Sequence, residues 1–87
     1  QARPNQYIIG FALETQNIEA NALRKLNTKN CQLLVVNNPV DESSGFGKSI
    51  VYSGVIERGE SSLEMKVQSK EALAGQVIGK ITTFFNK

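Results

Sequence analysis

Two lysines, Lys25 and Lys29, stand four residues apart. On a helix this spacing puts both ammonium groups on one face. Two such groups can hold a triphosphate as point charges, although a solvated lysine pair is the commoner use of the spacing. Upstream, Gly10 and Phe11 lie near the end of an apolar run, followed by Glu14 and Thr15. A glycine there permits a close main-chain approach, and the Phe11 ring can border a nucleotide base. Core packing of Phe11 and helix capping by Thr15 are the plainer alternatives. Gly45-Phe46-Gly47-Lys48-Ser49 carries the Gly-Lys-Ser ending of a phosphate loop. The full pattern needs a glycine where Glu42 stands, and it should open a helix rather than a strand. The segment therefore reads as a flexible turn that can fold over a ligand. Asp41, Glu42, Ser43 and Ser44 read as a solvated polar cluster, and no nucleophile–base constellation is visible.

The elements that must position these residues follow from pattern. Residues 7–13 form a nearly continuous apolar run, which suits a strand covered on both faces. Residues 17–29 have helical periodicity, with Ile18, Ala22, Leu23 and Leu26 on one arc. Thr15 or Asn17 can cap this helix, and Asn27 and Asn30 can help to stop it. Residues 33–36 make a second buried strand, so the three elements read as a right-handed βαβ unit. Ligands of such sheets bind beyond the carboxyl ends of the strands, which draws attention to residues 11–15 and to the long loop 37–49. Residues 50–56 and 63–67 read as an antiparallel hairpin turning at residues 57–60, with Leu63, Met65 and Val67 inward. Residues 70–85 read as a helix capped by Ser69, with Leu73, Val77, Ile78, Ile81, Phe84 and Phe85 in one apolar stripe. Gly75 and Gly79 lie opposite that stripe, either at a close neighbour or as tolerated surface glycines. The order is β-α-β-β-β-α, the second half of a larger α/β sheet.

Bulk properties narrow the classes of function. The chain has 87 residues and a net charge of +2. That charge is too small to imply nucleic acid or an anionic membrane as a partner. No apolar run approaches membrane-spanning length, and no signal-peptide pattern is present. There is no histidine and one cysteine, Cys31. Histidine-based triads and histidine metal sites are thereby excluded, and no site residue is assigned to a metal. A lone Cys31 before an apolar run reads as a packing residue in a reducing, cytoplasmic setting. The first residue is Gln1 rather than Met, as expected of a processed chain or an excised piece.

The stretch Gly10-Phe11-Ala12-Leu13-Glu14-Thr15 resembles the Gly-Phe-Ala-x-Glu-Thr motif of the phosphopantothenoylcysteine synthetase (phosphopantothenate–cysteine ligase) family. The similarity continues in register. Ala22, Lys25, Leu26 and Lys29 match an Ala-x-x-Lys-Leu-x-x-Lys stretch. A buried strand ending in Asn37, the Gly45-Phe46-Gly47 loop and the Ser69-Lys70-Glu71 helix start complete the likeness, which spans nearly the whole chain.

The resemblance implies a Rossmann-like mixed sheet belonging to a three-layer ligase domain, with residues 1–87 as its C-terminal portion. It implies ligation of 4'-phosphopantothenate to cysteine through an acyl-cytidylate made from CTP, in coenzyme A biosynthesis. Magnesium would accompany the triphosphate, and FMN would belong only to a fused decarboxylase domain outside this chain. ATP is the less expected nucleotide. By motif, Phe11, Lys25 and Lys29 would bind the nucleotide, and no residue of the chain would be catalytic. The full domain would be a cytoplasmic homodimer, and the 87 residues alone would be inactive. The chain departs from the family at Val36-Asn37-Asn38, where Ala-Asn-Asp is usual, and at Lys48-Ser49, which replace an acidic, Asn-rich continuation. The family's first half, with its glycine-rich turn, has no counterpart here. A non-catalytic α/β nucleotide-binding or assembly module is the competing expectation.

Overall fold

The computed structural model describes residues 6–38 and 50–86. Its elements, in order, are β1 (Ile9–Leu13), α1 (Ile18–Thr28), β2 (Leu33–Asn38), β3 (Ile50–Glu57), β4 (Lys66–Ser69) and α2 (Lys70–Phe85). The strands make one mixed sheet in the order β1-β2-β3-β4. β1 and β2 are parallel, with Phe11 opposite Val35, as the βαβ reading requires. β3 runs antiparallel to β2, and β4 antiparallel to β3.

One helix lies on each face of the sheet. Alternation along the strands sends Ala12, Leu34, Val36 and Ile56 to one side, where they bury against Ala22 and Leu26 of α1. Cys31 is buried in the same cluster, as a packing residue. The other side carries Leu33, Val35 and Val55, packed with Ile9, Tyr7 and the α2 residues Leu73 and Val77. Gly10 faces α1 and is needed there. A Cβ at this position would stand 3.1 Å from Leu34 Cδ1 and 3.3 Å from Cys31 Sγ.

Helix α1 stops where Asn30 turns left-handed (φ 54°), a conformation that asparagine tolerates. Its start is a correction to the capping expectation. Asn17 occupies the cap position, but it is itself left-handed (φ 47°) and its side chain makes no capping bond. Asn21 instead donates from Nδ2 to the Gln16 carbonyl at 2.9 Å. Helix α2 is capped as expected, with Ser69 Oγ accepting from the Ala72 amide at 3.0 Å. Its apolar stripe is only partly covered. Leu73, Val77, Ile81 and Phe84 are half-buried, whereas Ile78 and Phe85 are exposed. Nothing among the described residues approaches Gly75 or Gly79, which are surface glycines here.

The expected tight hairpin is also corrected. β4 begins at Lys66, and the chain before it crosses the α1 face of the sheet. Gly54 makes this possible, because a side chain there would collide with the main-chain carbonyl of Glu64. Leu63 and Met65 pack into the α1 cluster, and the Leu63 amide donates to Glu19 Oε2 at 2.8 Å. Val67 is half-exposed rather than inward.

The strand coverage expected at β1 holds on one face only. β1 is an edge strand, and on the α2 side Phe11 and Leu13 are 71% and 64% exposed. Among the described residues, no helix is long and apolar enough to cross a membrane.

Candidate functional site

The parallel pair β1–β2 brings two strand ends together. The ladder continues one step past β1, where the Glu14 amide donates to the Asn37 carbonyl at 3.1 Å. Main-chain pairing therefore fixes residues 11–14 relative to Asn37.

On the α2 side of these strand ends lies an open recess of ≈ 310 Å³, lined by Phe11, Ala12, Leu13, Val35 and Asn37. Its walls are mostly apolar. Asn37 Oδ1 is buried and has no hydrogen-bond partner among the described residues. A buried acceptor without a donor is costly, and a ligand N–H would satisfy it. An exposed ring beside an open acceptor can receive a flat heterocycle bearing an amino group.

On the α1 side, Lys25 Nζ stands 2.5 Å from Glu14 Oε2. The Glu14 residue is 5% exposed. Oε2 meets no other donor among the described residues. The contact is an ion pair that neutralises a carboxylate removed from water. Lys29 sits at the C-cap of α1, exposed, with its amide on the Lys25 carbonyl at 2.9 Å.

The three residues expected at the nucleotide are therefore not gathered at one point. Phe11 is carried on the α2 face of β1, Lys25 on the α1 face, and Lys29 one helical turn further on. Phe11 and the Lys25 ammonium, paired with Glu14, lie toward the carboxyl edge of the sheet, whereas Lys29, at the end of α1 that leads into β2, lies toward the amino edge. Sequence pattern missed Asn37 as a lining residue and Glu14 as the partner of Lys25. The signal for both was their place at the carboxyl end of a parallel strand. Thr15 is exposed and follows β1. The glycine-rich turn at residues 45–49 and the polar cluster at residues 41–44 lie outside the described residues. Among the described residues, no three His, Cys, Asp or Glu side chains converge to cage a metal ion.

Comparison with known proteins places this geometry in a lineage. The family model for the "DNA/pantothenate metabolism flavoprotein C-terminal domain" matches residues 1–85. A protein named cysteine/cysteine sulfinic acid decarboxylase, from an unknown prokaryotic organism, is 33% identical over 81 residues, which are 93% of this chain and 23% of that protein. The coenzyme A biosynthesis bifunctional protein CoaBC of Bacillus subtilis (strain 168) is 30% identical over 81 residues, 93% of this chain and 20% of its own length. The chain thus spans about a fifth to a quarter of these relatives. The crystal structure of the C-terminal domain of a CoaBC protein superposes with TM-score 0.73 at 23% identity, over 93% of this chain and 38% of that one. The DNA/pantothenate metabolism flavoprotein of Streptococcus pneumoniae does so with TM-score 0.72 at 19% identity, over 94% and 36%. Sequence and fold agree, and the chain belongs to the family of the DNA/pantothenate metabolism flavoprotein C-terminal domain.

Proposed function

We propose that this chain contributes to coenzyme A biosynthesis as the C-terminal portion of a phosphopantothenate–cysteine ligase domain that uses CTP. The observation that carries this reading is the recess at the carboxyl end of β1 and β2. There the family's Gly-Phe-Ala-x-Glu-Thr motif presents the exposed Phe11 ring next to the unfilled Asn37 acceptor. Cytosine fits such a place, with its ring against Phe11 and its exocyclic amino group toward Asn37. Adenine carries an amino group too, so ATP is the competing nucleotide. Lys25 meets the triphosphate from α1, and Lys29 adds its charge from the C-terminal end of that helix, where both would oppose the charge that develops on phosphate oxygens.

In the proposed reaction a carboxylate oxygen of 4'-phosphopantothenate attacks the α-phosphorus of CTP. The bond to the β-phosphate bridging oxygen breaks, and pyrophosphate leaves with its electron pair. The amino nitrogen of cysteine then attacks the acyl carbon, CMP departs, and the amine gives up a proton. Magnesium, when bound, would draw its ligands mainly from phosphate oxygens and water, because the described residues form no cage for it. FMN would belong to another domain.

The test uses the native polypeptide that carries this sequence. With CTP, 4'-phosphopantothenate and cysteine it should release pyrophosphate and CMP in equal amounts, together with the amide product. Absence of pyrophosphate with both CTP and ATP would overturn the reading. Release of carbon dioxide from cysteine sulfinic acid, with no nucleotide turnover, would point to the activity in the first relative's name.

A further inference from the structure

The Glu14–Lys25 pair carries an inference that rests on the ligase reading. Lysine side chains on a helix surface usually sample many rotamers, and holding one in place costs conformational entropy. Lys25 is not in that situation. Its ammonium lies 2.5 Å from a carboxylate whose side chain is only 6% exposed, while its own side chain is 28% exposed. Glu14 cannot follow it outward, because the Glu14 amide is tied to the Asn37 carbonyl at the sheet's carboxyl edge. Lys25 cannot leave without stranding a charge away from water, which is strongly unfavourable. The ammonium is therefore tethered at the strand end, on a side chain that remains partly exposed. Lys29, four residues on, is exposed and has no such tether among the described residues.

We propose that Glu14 is a positioning residue. It holds the Lys25 ammonium in one orientation at the carboxyl edge of β1–β2, where the transferring phosphate of the nucleotide is to be met. The two lysines then have different tasks. Lys25 acts as a directed donor whose charge is largely balanced in the free protein, and Lys29 supplies the net positive charge that attracts the polyphosphate. Glu14 touches no substrate in this assignment.

The experiment measures CTP-dependent pyrophosphate release by the native polypeptide, with kcat and KM for CTP, in Glu14→Gln, Glu14→Asp, Lys25→Met and the double variant Glu14→Gln/Lys25→Met. Glu14→Gln should lower kcat by about ten- to a hundredfold while moving KM for CTP less than about threefold, since orientation rather than attraction is lost. In the Lys25→Met background the same change should cost nothing further, because the group that Glu14 orients is gone. A purely structural Glu14 would instead shift the melting temperature in both backgrounds and leave kcat of the folded fraction intact, which overturns the proposal. Equal losses of kcat in the two backgrounds overturn it as well. Glu14→Asp retains the charge but draws the carboxylate back by one methylene. It should fold and show an intermediate kcat, and full wild-type kcat in this variant would refute the tether even if Glu14→Gln fails to fold. Wild-type protein that binds CTP but is indifferent to all Glu14 changes sinks this inference alone. Wild-type protein that releases no pyrophosphate sinks the ligase reading, and the inference falls with it.

Discussion

Arg58 reaches from the end of β3 to the last turn of α1 and closes it: its guanidinium donates to the Leu26 carbonyl and to the Cys31 carbonyl, each at 2.9 Å. The Arg58 amide also donates to the Gln32 carbonyl at 2.8 Å. One residue thus ties the helix C-terminus, the α1–β2 connection and β3 together. A cation at this helix end also complements the helix dipole. Arg58→Ala is expected to destabilise the fold by about 1–3 kcal/mol, read as a lower urea midpoint at unchanged slope. Arg58→Lys should recover only part of this, because one ammonium cannot serve both carbonyls in the planar geometry of the guanidinium.

Gly54 has a comparable structural consequence on the same, α1 face of the sheet. The main chain at Glu64 occupies the space that a Gly54 side chain would need, and Leu63 Cδ1 would stand 3.2 Å from its Cβ. Gly54→Ala should therefore cost about 1–3 kcal/mol as an overpacked site. It should also loosen the Leu63–Glu19 bond, which amide exchange at Leu63 would report as faster exchange.

Lys25 and Lys29 separate in stability before any ligand is added. Lys25→Ala leaves Glu14 buried without its counter-ion, and the loss should be about 1–3 kcal/mol in thermal or urea unfolding. Lys29→Ala removes an exposed side chain and should stay within about 0.5 kcal/mol of wild type. For the same reason Lys29→Ala is the cleaner probe of nucleotide affinity, with weaker CTP binding expected in a titration calorimeter and a smaller dependence on salt.

Tyr7 links stability to alkaline pH. Its ring packs on Phe84 at 4.7 Å and on Phe85 at 6.3 Å, and its hydroxyl is buried with no hydrogen-bond partner among the described residues. Desolvation first, and the negative charges of Glu57 and Glu60 after it, raise its pKa above the ordinary 10.0. The folded state thus holds the phenolic proton more tightly than the unfolded state does. The resulting stabilisation is fully present below pH 10.0 and is lost as pH rises through the raised value. Tyr7→Phe should flatten the alkaline limb of a stability–pH curve. At neutral pH it should be nearly neutral, since it removes an unsatisfied hydroxyl and keeps the ring.

Local pattern determined the elements of this protein. The arc Ile18, Ala22, Leu23 and Leu26 marked α1, Ser69 marked the start of α2, and strand–helix–strand order marked the parallel pair. Each depends on a repeat or a cap that a few neighbouring residues specify by themselves. The family motif at Gly10–Thr15 was equally legible, because it is contiguous. Tertiary structure alone decided what those residues meet. The parity of β1 put Phe11 and Lys25 on opposite faces, a relation that depends on which helix covers which side. The absence of a side chain at Gly54 let residues 63–65 cross the sheet instead of extending β4, so Val67 turned outward despite its alternating pattern. The neutralisation of Glu14 by Lys25 joins a strand end to a helix eleven residues later in the chain. No local spacing encodes it, because ion pairing follows distance and burial in the folded molecule.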